Sequence, residues 1–97
     1  MALHTINLLP GDPVCAAALT QIAADDAVLF HGEGAWQVTS EGPTLAAWAA
    51  TGAALHALDA DVAACGLTAR CDPRIALVDA AGFLTLTESH AQHRAWF

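Results

Sequence analysis

Residues 54–67 read ALHALDADVAACGL and hold the repeating unit of the fold. Ala54–Leu58 is an apolar run of strand length; Asp59 or Asp61 is placed to cap a short helix through Cys65, and Gly66 stops it. The same alternation continues on both sides. Upstream, Leu3–Leu8 reads as a strand closed by Pro10-Gly11. Asp12 then suits an N-cap and Pro13 the first helical position of a helix to about Ala24. Ala27–Phe30 is a second, buried strand, and Gly32-Glu33-Gly34 a turn signal. Ala35–Thr39 fits either a hairpin return strand or a short helical connector. Ser40–Pro43 opens a helix that ends at Gly52, with Leu45, Trp48 and Ala49 on one face.

Downstream, a polar loop with Arg70 and Pro73 leads into a strand at Ile75–Val78. Asp79 caps a helix to about His90, and Arg94–Phe97 forms a last strand. Strands separated by helical stretches pair in parallel with helices on both faces, joined by right-handed crossovers. The expected fold is a small three-layer α/β/α domain on a mostly parallel sheet of about five strands. No repeat or linker divides the chain, so residues 1–97 form one domain.

The apolar fraction is 56%, above the ~45–50% of ordinary domains. Much of the excess is alanine, which buries little area and favours thin helices close to the sheet. Surplus apolar residues in a small chain also point to a partner. The formal charge is −7, with Arg70, Arg74 and Arg94 the whole basic complement. So few cations exclude direct nucleic-acid binding and an anionic membrane surface. No stretch has the length and apolarity of a spanning helix, and the N-terminus lacks a basic signal region, so the expected home is the cytoplasm.

In order along the chain, Leu-His-Thr-Ile, VLFHGEG, ALDADVAACGL, IALVDAAGFLTLT and the ending Arg-Ala-Trp together resemble the TusB/DsrH family. Its members are the smallest subunits of the TusBCD and DsrEFH sulfur-relay complexes. The resemblance implies a flavodoxin-like fold of the DsrE/F/H type. It implies a hexamer with two homologous sister subunits, TusC/TusD-like or DsrE/DsrF-like. In the Tus branch, persulfide sulfur passes toward 2-thiouridine at the tRNA wobble position; the Dsr branch serves dissimilatory sulfur oxidation. In the catalytic sister subunit the working cysteine ends the third strand, before an alanine-rich helix. Counted back from Gly66, that position is Leu58 here, so the resemblance implies a non-catalytic subunit. The alternative is a DsrH-type sulfur carrier with Cys15 as an accessory persulfide thiol.

Cys15, in the first turn of its helix, gains from the helix dipole as a thiolate, while the Asp12 charge favours the thiol. It also aligns with Leu19 and Ile22 on an apolar stripe, which suits a small core residue. Cys65 sits at a helix C-terminus; Cys71 lies in a loop where Arg70 and Arg74 would lower its pKa. His90 and His93, three apart, would share a helix face, yet no further ligand completes a metal site. His4 reads as a satisfied core histidine. Gly32-x-Gly34 is too little for a dinucleotide fingerprint, and no G-x-S-x-G elbow occurs. No cofactor is expected. Trp48 belongs to the core, while Trp36 and Trp96 are candidates for a subunit interface, where tryptophan is enriched.

Overall fold

A computed structural model describes residues 1–39 and 43–97. The expected helix start at Ser40–Pro43 lies in part outside them. The strands are β1 (Ala2–Ile6), β2 (Ala27–Phe30), β3 (Ala54–Leu58), β4 (Ile75–Val78) and β5 (Gln92–Trp96). The helices are α1 (Val14–Gln21), α2 (Pro43–Ala50), α3 (Asp59–Ala64) and α4 (Ala80–Ser89). A seven-residue 3-10 connector, Gly32–Val38, links β2 toward α2, and a 3-10 turn, Thr68–Arg70, precedes β4. The described strands form one five-stranded sheet, order β4-β3-β2-β1-β5, with every neighbouring pair parallel.

That order follows from crossover handedness. Three successive steps, β1 to β4, move one way across the sheet, and their helices lie on one face. The step from β4 to β5 runs back the other way, so a right-handed crossover must place α4 on the opposite face. The layered α/β/α architecture is the expected one. Its strand order differs from the 2-1-3-4-5 of flavodoxin, because the reversal comes only after three steps in one direction.

Cys15 and Ala18 of α1, Leu45 and Trp48 of α2 and Val62 of α3 bury one face, against Ile6, Val28, Phe30, Leu55 and Ala57. Trp48 is 1% exposed and meets Phe30 edge to face with ring centroids 5.5 Å apart. On the other face Leu3, Ala27 and Leu29 are buried beneath Phe83 and Leu86 of α4, which stay half-buried.

Several boundaries differ from those expected. α1 stops at Gln21 because Ile22 turns extended (φ −95°, ψ 122°) and enters the core, while the Ala23 amide donates to Asp26 Oδ2 at 2.9 Å. β1 stops at Ile6, and β5 begins two residues earlier than read, at Gln92. Gly32–Val38 is the helical connector, not a return strand. Asp79 does cap α4, its carboxylate accepting from the Gly82 amide at 2.8 Å; Asp12 stands one residue before the N-cap of α1, Pro13, and accepts from the Val14 amide at 2.8 Å. Neither Asp59 nor Asp61 caps α3, which has no side-chain cap. Asp61 is drawn to the connector instead.

Candidate functional site

In a parallel sheet all strands end on one edge, and ligand crevices open there where exits turn to opposite faces. Here β3 exits into α3 on one face and β4 into α4 on the other. Leu58 and Val78 are paired in register at that junction, and both pack half-buried against the Leu3–Ala27–Leu29 cluster. Residues 57–62 and 77–82 contain no cysteine or histidine. Asp79 is committed to its cap. The junction offers hydrocarbon and carboxylate, and neither is a sulfur nucleophile.

Beside it, where β1 and β2 end, the backbone is closely tied. The His31 amide donates to Ile6 O at 3.1 Å, Glu33 N to Asn7 Oδ1 at 2.9 Å, and Gly32 N to Asp61 Oδ2 at 2.7 Å. Gly34 passes so close to β1 that an added Cβ would sit 2.0 Å from Ile6 O. These bonds explain why a 3-10 run of this length holds, since such runs usually stop after three or four residues. Its Gln37, 1% exposed, donates through Nε2 to Leu8 O (3.0 Å) and Cys15 Sγ (3.5 Å) and accepts from Trp48 Nε1 (3.1 Å).

The three cysteines are free thiols. Cys15, 7% exposed, directs its Sγ toward Leu9 O at 3.7 Å. Burial pushes its thiol up and outweighs the lowering by the Gln37 hydrogen bond, while the Asp12 charge adds a smaller rise. Cys71 is also pushed up, by burial and then by Asp72. The expected lowering by Arg74 fails because its guanidinium is paired with Asp72, whose carboxylate accepts Nε at 2.9 Å and Nη2 at 3.0 Å. Cys65 ends α3, half-buried.

His4 is fully buried and held on both ring nitrogens. Trp96 Nε1 donates to Nδ1 at 3.1 Å, which makes Nε2 the protonated nitrogen, donating to Asp26 Oδ2 at 3.0 Å. Burial would raise the Asp26 carboxyl, but hydrogen bonds from the Ala23 and Ala2 amides and from His4 outweigh it and hold it at about 2. Trp96 is thus engaged internally, its ring stacked on His4 with centroids 6.4 Å apart. Trp36 is 46% exposed.

His90 and His93 do not share a helix face: α4 ends at Ser89 and His93 lies in β5. Their nitrogens meet backbone carbonyls, His90 Nδ1 with Leu86 O at 2.8 Å and His93 Nε2 with Thr87 O at 2.9 Å. Among the described residues no His/Cys/Asp/Glu group converges as a metal site. None of the described helices is long and apolar enough to cross a membrane. The sequence offered no sign of Gln37 or Asp26 as network centres. A polar residue beside Trp36 and a loop aspartate look unremarkable until folding brings their partners together.

The molecule is a doubly wound parallel domain whose β3–β4 junction lacks a thiol. A family model described as DsrH like protein matches residues 12–93. Protein TusB of Sodalis glossinidius (strain morsitans) is 33% identical over 94 residues, covering 97% of this chain and 99% of that protein. The chain belongs to the DsrH-like family.

Proposed function

We propose that this chain is a non-catalytic subunit of a sulfur-relay complex. In this reading it works in the cytoplasm beside two homologous sister subunits, in a hexamer that passes persulfide sulfur toward 2-thiouridine at the tRNA wobble position. Family membership supports the relay setting. The observation that carries the subunit's role is Leu58, at the end of β3, where the resemblance expects the sister subunit's thiol. A hydrocarbon side chain holds no persulfide. Cys15 and Cys71 are poor substitutes, since the thiolate is the reactive form and burial disfavours it at both.

The test is co-expression with the two sister subunits, sizing of the product, and mass spectrometry of each chain after exposure to a sulfane donor. The expected result is a mixed complex in which added sulfur appears on a sister subunit's cysteine and on none of Cys15, Cys65 or Cys71. Transferable sulfur on Cys15, lost in Cys15→Ser, would establish the carrier role of the DsrH type instead.

A further inference from the structure

Resting on the relay-subunit reading, we infer that Trp36, Leu9 and Val14 form the surface that docks a sister subunit, through an apolar pocket rimmed by lysine or arginine. The large hydrophobic side chains exposed among the described residues are Met1, Leu9, Val14, Trp36, Leu77, Leu84 and Phe97. Three of them belong to, or adjoin in sequence, the residues of one buried junction. Gln37 bonds Leu8 O and Cys15 Sγ, and Cys15 in turn reaches Leu9 O. Leu9 follows Leu8, Val14 precedes Cys15 and Trp36 precedes Gln37, so the bonds that fix the junction also fix all three exposed neighbours. Their exposures are 45%, 36% and 46% for Leu9, Val14 and Trp36.

Rigidity matters here, because an anchor already ordered loses little entropy on binding. Trp36 stands on the connector held by Asn7, Asp61, Gln37 and the contact of Gly34 with β1. Tryptophan in such a setting is the residue type most often found to dominate interface energy.

Charge selects the occupant. Asp12, Glu33 and Asp61 belong to the segments around the patch, and Arg74, on the segment whose Asp72 amide donates to Val38 O of the connector, is paired with the Asp72 carboxylate. A complementary partner is apolar at its centre and cationic at its rim. A sister subunit with a neutral or acidic face there would not fit.

The experiment uses the full chain and the two co-expressed sister subunits, with association measured for wild type, Trp36→Ala, Glu33→Lys and, on α4, Leu84→Ser. Circular dichroism and thermal melts check that each variant folds. Trp36→Ala is expected to weaken association about 30-fold or more. Glu33→Lys should weaken it several-fold and reduce its salt dependence, while Leu84→Ser stays within about threefold of wild type, as contacts outside a hot spot do. If wild type assembles and a folded Trp36→Ala assembles equally well, this docking surface is wrong and the relay reading stands. If wild type does not assemble, both fall.

Discussion

On one face of the sheet, Trp48 and Phe30 meet inside a core closed by α1, the connector, α2 and α3. On the other face, Phe83 and Leu86 of α4 rest on Leu3, Ala27 and Leu29, and no residue of α4 is fully buried. Composition does not cause the difference, since apolar residues occur on both faces. Three crossovers stepping one way deliver three helices to one side, and a single reversal delivers one helix to the other. Winding direction thus decides where the free energy of burial concentrates.

Gly34→Ala attacks the thick face where it joins β1. A Cβ there would overlap Ile6 O, and backbone has no alternative rotamer to adopt. The expected loss is at least about 4 kcal/mol, among the largest for single substitutions and close to the whole stability of a small domain. A soluble Gly34→Ala protein with an unchanged urea midpoint would mean the connector does not press on β1.

Truncating one aromatic on each face sharpens the contrast. Trp48→Ala should cost about 3–5 kcal/mol, leaving a cavity and an unpaired Gln37 Oε1. Phe83→Ala removes a half-buried ring and should cost about 1–2 kcal/mol, nearer the transfer value of partial burial. Chemical denaturation of both variants measures the difference. Equal losses would show that α4 shields its face as well as the three helices opposite.

The same asymmetry separates what was legible in the sequence from what was not. Ala27–Phe30, Ala54–Leu58 and Ile75–Val78 are strands at the limits read from their apolar runs, because glycine, aspartate or proline bounds each of them. The Asp79 cap is local chemistry and was equally readable. Asp59 and Asp61 carried the same local signal, and tertiary structure overrode it for Asp61 when the Gly32 amide came within 2.7 Å. The α1 terminus moved for a similar reason, since Ile22 gained more from the core than from another helical turn. At the candidate site, Leu58 was visible from the motif around it. The Gln37 and Asp26 networks join residues distant in sequence, such as His4 and Trp96, and no periodicity encodes such meetings.

A pH-dependent effect lies at the opposite edge of the sheet, where Asp26 accepts the Ala2 and Ala23 amides and His4 Nε2. Its folded pKa of about 2 lies below the ordinary value of 3.8. The unfolded chain therefore binds the proton more readily than the folded one. The carboxylate's contribution is fully present above about pH 5 and is lost as the pH falls through 3.8 toward 2. Thermal melts between pH 6 and about 2.5 should decline along that limb. Asp26→Asn keeps an acceptor for His4 but removes the titration, so its melting temperature should start lower and fall less steeply on acidification. Parallel pH profiles for the two proteins would place the acid-sensitive carboxylate elsewhere; Asp72, lowered by its hydrogen bonds with Arg74, is then the residue to replace.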